Sequence, residues 1–246
     1  MSGKYYELDL DEAFINELKE TLAYMVNPVT IDVFIGEGNC ETCDDTVKLI
    51  KAIADASPTK NGKKMIEIRI FDKAKEGDLA EFQKQGVERI PSVTLIGGLI
   101  KYSGIPAGEE IRGFIETIMR LSENDSGLEN ETKVQLKTIT NNVHVETVVT
   151  PSCPYCPYAV LLANMFAYEA YKQNNPKILS ETVEAYENTD IAEKYGVMSV
   201  PAIALNGVMS FVGVPYEEDF VTYVKAAAEN KLKEITPKEE GEATGI

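Results

Sequence analysis

Two C-x-x-C pairs, Cys40-Glu41-Thr42-Cys43 and Cys153-Pro154-Tyr155-Cys156, stand 113 positions apart in a chain of 246 residues, and each is framed by the same succession of features. Val29-Thr30-Ile31-Asp32-Val33-Phe34-Ile35 precedes the first pair and Val143-His144-Val145-Glu146-Thr147-Val148-Val149 the second; both are β-branched runs of strand length. Downstream, Ile90-Pro91-Ser92-Val93-Thr94-Leu95-Ile96-Gly97-Gly98 corresponds to Val200-Pro201-Ala202-Ile203-Ala204-Leu205-Asn206-Gly207, a proline entering a short strand each time. Both continue into a second short run that ends Gly104-Ile105-Pro106 or Gly213-Val214-Pro215, which predicts a glycine-turned hairpin in each half. Proline to proline is 110 positions and glycine to glycine 109, so the offset drifts only by small changes of loop length. Self-similarity at this period predicts two copies of one unit rather than one large domain.

The polar, turn-rich stretch Ser122-Glu123-Asn124-Asp125-Ser126-Gly127 follows the apolar positions Ile111, Phe114, Ile115, Ile118 and Met119, and marks the boundary. The expected units are residues 1–123 and 124–232. The charged, Gly/Pro-containing end, residues 233–246 with Lys231 and Leu232 before it, reads as a frayed tail. Ile15, Leu18, Leu22 and Met25 recur at helical spacing, with Asp9 or Asp11 available as N-cap; the matching segment around Leu128 to Ile139 carries a weaker signal. Each copy then reads helix, strand, C-x-x-C opening a helix, strand, helix, two hairpin strands, helix. That is an α/β unit with a mixed β-sheet flanked by helices.

All four cysteines of the chain fall in the two pairs. Disulfide exchange needs a thiolate to attack, a neighbouring thiol to release the mixed disulfide, and access for a partner's sulfur. A cysteine at a helix N-terminus has its anion stabilised by free backbone N–H groups and the helix dipole, which makes Cys40 and Cys153 the expected nucleophiles. Cys43 and Cys156, further in and more shielded, suit the resolving role. The following residues fit helices: Thr46, Val47, Leu49, Ile50, Ile53 and Ala54 contain a stripe, while Ala159 to Ala167 is so broadly apolar that it predicts a core helix packed on the sheet or on the other unit. Pro154 suits a first helical position, and Pro157 is tolerable in the first turn. Glu41 opposes ionisation of Cys40, whereas Pro154 and Tyr155 add no charge near Cys153, so Cys153 is expected to have the lower pKa and the more oxidising pair.

This order of elements, with C-x-x-C before a helix and a proline entering the hairpin, resembles the thioredoxin fold. The tandem arrangement with a pair in each copy resembles the protein disulfide oxidoreductases, the two-unit glutaredoxin-like proteins of heat-loving prokaryotes, over nearly the whole chain. Cys153-Pro154-Tyr155-Cys156 is the glutaredoxin pair, and Ser199-Val200-Pro201 resembles the glutaredoxin Thr-Val-Pro segment. The resemblance implies two tandem thioredoxin-fold units whose redox-active disulfides are Cys40–Cys43 and Cys153–Cys156. It implies cis peptides before Pro91 and Pro201, with the backbone of Ile90 and Val200 meeting the client. It also implies reduction, oxidation or isomerisation of protein disulfides and a thioredoxin-reductase-like flavoprotein as electron donor; with no phosphate loop or dinucleotide fingerprint visible, no organic cofactor is expected. The chain departs from thioredoxin proper in having no tryptophan, and Phe34 and Thr147 where thioredoxins carry a buried aspartate six positions before the first cysteine. Asp32, Glu146 or water are the substitutes left for moving the resolving thiol's proton.

The formal net charge of −16, from 40 acidic and 24 basic residues, argues against nucleic acid and anionic membranes as partners. No apolar stretch approaches the roughly 18 to 20 residues of a membrane span, and the first residues lack a secretory pattern, so a cytoplasmic location is expected. Two C-x-x-C pairs could instead make a Cys₄ zinc site. Their separation and their separate strand-helix-proline settings argue against that, and no metal is expected. A non-catalytic adaptor or chaperone is the other alternative, and a double unit also occurs in peroxide-defence flavoproteins, usually with one pair lost. His144, the one histidine, reads as a packing or surface residue, Arg89 as a solvated arginine or a group that steadies a thiolate, and Gly104 and Gly213 as turn residues.

Overall fold

The computed structural model describes residues 6, 8–36, 38 and 40–232, so the expected tail 233–246 lies outside the described residues. The first half runs α1 (Glu12–Leu22), β1 (Val29–Ile35), α2 (Cys43–Ala56), β2 (Thr59–Lys60), β3 (Lys63–Lys64), β4 (Ile66–Asp72), α3 (Leu79–Lys84), β5 (Ser92–Leu95), β6 (Ile100–Ser103) and α4 (Glu110–Glu123). The second runs α5 (Asn130–Leu136), β7 (Val143–Val149), α6 (Cys156–Lys172), β8 (Ile178–Glu184), α7 (Thr189–Lys194), β9 (Ala202–Leu205), β10 (Val208–Val212) and α8 (Glu217–Ala228). The predicted order holds in both halves. Asp11 is the N-cap of α1, accepting the Phe14 N–H at 2.7 Å. The small β2–β3 hairpin was not foreseen, although its Asn61-Gly62 turn, with both residues at positive φ, is a strong short-range hairpin signal.

β1 to β10, without the small hairpin, form one eight-stranded sheet in the order β10-β9-β7-β8-β6-β5-β1-β4. In each half the strand before the C-x-x-C pair is central, parallel to one neighbour (β4 or β8) and antiparallel to the other (β5 or β9). The halves join where β6 pairs in parallel with β8, from Ile100↔Ser180 to Ser103↔Val183. That pairing covers one edge of each half and leaves β4 and β10 as the edges of the joined sheet.

Strand alternation sorts the side chains. Ile31 and Val33 of β1 and Val143, Val145 and Val149 of β7 belong to the main core with residues of α1, α2, α4, α5, α6 and α8, and this core runs unbroken across the two halves. The opposite face carries two smaller clusters, Phe34 with Phe82 and Val87 beside α3, and Val148, Val183, Ile191, Ala202 and Met209 beside α7. α6 is core, as its composition predicts. Its buried Asn164 donates to the Tyr102 hydroxyl at 2.8 Å and to Thr117 Oγ1 at 3.1 Å, and accepts from Ser180 Oγ at 2.7 Å, tying α6 to both halves.

Candidate active sites

Both pairs stand as disulfides, Cys40–Cys43 and Cys153–Cys156, each with Cα atoms 5.5 Å apart. The helices begin at the second cysteine of each pair, so the first lies in the turn ahead of the helix. In the second site the Cys156 N–H, one of the N-terminal groups without an intrahelical partner, points at Cys153 Sγ at 3.1 Å. This placement corrects one expectation. Pro154 is not the first helical residue, because residues 154 and 155 make the turn that folds Cys153 back onto Cys156; Pro157 is the proline of the first turn. Cys40 is partly buried and Cys43 buried, while Cys153 is 6% exposed and Cys156 0%.

The Ile90–Pro91 and Val200–Pro201 peptides are both cis. The Val200 carbonyl oxygen lies 3.7 Å from Cys153 Sγ, which sets this segment directly against the second disulfide. Beyond each proline the backbone closes identically: Gly104 N–H donates to Pro91 O at 2.9 Å and Gly213 N–H to Pro201 O at 2.7 Å, both glycines at positive φ. Tyr155 within the second pair, Met198 two residues before Val200, and Val214 and Tyr216 just after Gly213 are exposed, Met198 at 89%.

The two candidate proton carriers named from sequence are committed elsewhere. Asp32 shares the α3 face of β1 with Phe34 and is held by Arg69 through two bonds of 2.6 Å and by Gln85 at 2.7 Å. Glu146 accepts from the Tyr195 hydroxyl beside α7. His144 meets Glu181 at 2.9 Å. Burial would raise the Glu181 carboxyl, but His144, Lys101 and Ser103 bring it down to about 2. Arg89 is neither solvated alone nor directed at a sulfur among the described contacts; it binds Asp190 in the second half at 2.6 and 2.8 Å and Asn188 at 3.2 Å.

A group of acids between the two sites went unread in the sequence. Thr42, inside the first pair, donates its hydroxyl to Glu187, which also accepts the Ile105 N–H at 2.8 Å. Glu184 accepts the N–H groups of Tyr186 and Glu187 at 3.1 and 2.7 Å. Tyr6 donates to Asp45 in the first turn of α2 at 3.1 Å. Burial raises Glu187, and raises Glu184 to about 7 against the pull of its two N–H donors. These partners come from positions up to 145 residues apart, beyond the reach of local pattern. Glu110 could have been suspected, since it occupies the Phe114 and Thr117 face of α4, where a polar residue is out of place.

Two disulfide-forming C-x-x-C pairs on thioredoxin-fold units define an enzyme of dithiol–disulfide exchange. The model of the thioredoxin domain family matches residues 29–116 and 143–225. A solved structure described as a protein disulfide oxidoreductase from Aeropyrum pernix is 60% identical, with a TM-score of 0.91, and the match covers 94% of this chain and 99% of that one. The chain therefore belongs to the thioredoxin-domain family, among the protein disulfide oxidoreductases. It is also similar to a probable thioredoxin of Methanothermobacter thermautotrophicus, 42% identical over 77 residues, which are 31% of this chain and 86% of that protein. An alkylhydroperoxide reductase structure from Enterococcus faecalis shares the fold at 21% identity, with a TM-score of 0.75 over 87% of this chain and 99% of that one. Among the described residues no helix is long and apolar enough to cross a membrane.

Proposed function

We propose that the chain reduces, oxidises or isomerises disulfides of protein clients through two working sites. Cys40 and Cys153 attack, and Cys43 and Cys156 close the internal disulfide and release the client. Ile90 with Pro91 and Val200 with Pro201 line the client's backbone. The observation that carries this reading is the Val200 carbonyl 3.7 Å from Cys153 Sγ; the exposed Tyr155, Met198, Val214 and Tyr216 in the flanking segments suit apolar client segments. The two units span residues 1–123 and 124–232, a division supported by the end of α4 at Glu123 and the left-handed Asn124 after it. A thioredoxin-reductase-like flavoprotein recharges the dithiols, and the setting is cytoplasmic. The four sulfurs, paired off in two disulfides, favour this reading over one Cys₄ zinc site.

The test is insulin reduction and scrambled-ribonuclease repair by the wild type, Cys40→Ser, Cys153→Ser and the double variant. Activity lost fully only in the double variant means two working sites. Loss in one single variant means one site does the work, and full activity in the double variant ends the proposal.

A further inference from the structure

Arg89 stands immediately before the cis Ile90–Pro91 peptide of the first site, yet its guanidinium is held by the second half of the chain. Its Nη1 donates to Asp190 Oδ1 at 2.8 Å and to Asn188 Oδ1 at 3.2 Å, and its Nη2 to Asp190 Oδ2 at 2.6 Å. A two-pronged bond of this kind fixes direction as well as distance, because the planar guanidinium and the carboxylate must face each other. The mount behind it is firm. Asn188 is 6% exposed and donates to Ser103 O of β6 at 3.0 Å and to Glu184 O of β8 at 2.9 Å, which pins it to both strands of the join. It also precedes α7, whose first turn holds Asp190.

The main chain of Arg89 is held as closely. Its carbonyl oxygen accepts the Ser92 hydroxyl at 2.8 Å across the cis peptide. Ile90 leans on the turn ahead of Cys40, where a Cβ at Gly36 would stand 2.8 Å from Ile90 Cδ1. Movement at Arg89 is thus passed to Ile90 and to the approach to the first pair. Thr42, bonded to Glu187, gives the redox loop its own tie to the same stretch of the second half. The second site is built differently: the exposed Ser199 stands where the first unit has Arg89, and Val200 meets Cys153 Sγ directly.

We propose that Asp190 and Asn188 of the second unit are positioning residues for the first site: through Arg89 they hold Ile90–Pro91 ready to receive a client, so the first site is complete only with the second unit in place. This rests on the reading of Ile90 and Pro91 as the segment that lines the client's backbone at a working Cys40–Cys43 pair. Neither residue contacts a sulfur among the described residues, so neither takes part in the exchange itself. A segment that is already ordered loses less freedom when a client strand is laid on it, and the brace therefore acts on binding. The Asp190 side chain is 64% exposed, and a charge pair so open to water is screened by salt. Client binding at the first site thus carries a salt sensitivity that the second site, without Arg89, does not share.

The test uses two full-length parents, one with Cys153→Ser and Cys156→Ser so that only the first pair works, the other with Cys40→Ser and Cys43→Ser. Each reduces a peptide disulfide that carries no charged side chains, and KM and kcat are measured separately. In the first parent Asp190→Ala is expected to raise KM about three- to fivefold while kcat stays within about twofold. Asp190→Glu, which keeps a carboxylate, should stay nearer the parent; the Cys40 alkylation profile should not move, and Asp190→Ala should leave KM of the second parent unchanged. Raising salt from about 0.05 to about 0.5 M should increase KM in the first parent and not in its Asp190→Ala form. Equal KM with and without Asp190, the same rise in both parents, or a salt response that survives Asp190→Ala overturns the proposal alone. A first parent with no turnover overturns the reading of the first site, and the proposal with it.

Discussion

The hydroxyl of Thr42, between the two cysteines of the first pair, donates a hydrogen bond to the carboxyl of Glu187, which belongs to the second half of the chain. The first redox loop is therefore in contact with an acid that its own unit does not encode. A negative charge there disfavours a thiolate at Cys40.

Glu187→Gln should lower the apparent pKa of Cys40 by a few tenths of a unit to about one unit, since an amide keeps an acceptor for Thr42 but carries no charge. Rates of iodoacetamide alkylation against pH, in a chain lacking the second pair, give the answer. An unchanged or raised pKa would contradict it.

Cys153 should have a lower apparent pKa than Cys40. It receives the Cys156 N–H and has uncharged neighbours within its pair, while Cys40 has Glu41 beside it and the Thr42-bonded Glu187 nearby. The same alkylation assay on chains with a single intact pair decides the order.

Stability should decline as pH rises from about 5 to 9. Glu110 and Glu184 have ordinary values of 4.5 raised to about 8 and about 7, so across that window the folded chain holds protons that the unfolded chain has released. Folding stability then falls with pH, and the contribution is lost as pH passes through the folded values. Urea midpoints should show the slope in wild type and a shallower one in Glu110→Gln, the variant gaining most above pH 8.

Asp32→Asn should cost stability without changing the chemistry of the first site. Asp32 is 3% exposed and answers Arg69 and Gln85 on the sheet face away from α2. Because Arg69 is about half exposed, the loss should be modest, about 1–3 kcal/mol. Thermal melts measure the loss, and an unchanged Cys40 alkylation profile separates this residue from proton transfer.

Gly108→Ala should destabilise the join between the halves by about 2 kcal/mol or more. Its φ of +65° disfavours a side chain, and a Cβ would fall 2.3 Å from Pro151 O, so the loop ahead of Cys153 must shift. Denaturant midpoints, with the reduction rate of the Cys153–Cys156 disulfide as second readout, check both effects.

The repeat made most of the unit legible. β1 and β7 coincide with the β-branched runs, the pairs open α2 and α6, and Pro91 and Pro201 enter β5 and β9. These features are local, set by side-chain shape and spacing. The joining of β6 to β8 was not legible, because edge pairing depends on which edge is left uncovered after each unit folds. Asp32 and Glu146 were singled out for lying near the pairs in sequence, but strand alternation turns both to the far face. The start of α4, distant in sequence from the second pair, is brought to its flanks by the docking of α4 on α6, with Glu109 on Pro151 and Gly113 against Pro157.

Because β6 and β8 are hydrogen-bonded neighbours in one sheet, the spacing and orientation of the two disulfides are set by backbone geometry rather than by a hinge. Electrons cannot pass from one pair to the other by the units swinging together. A molecule that visits both pairs must dissociate and rebind, or be long enough to reach across, and so the enzyme should behave as two stations at a fixed separation.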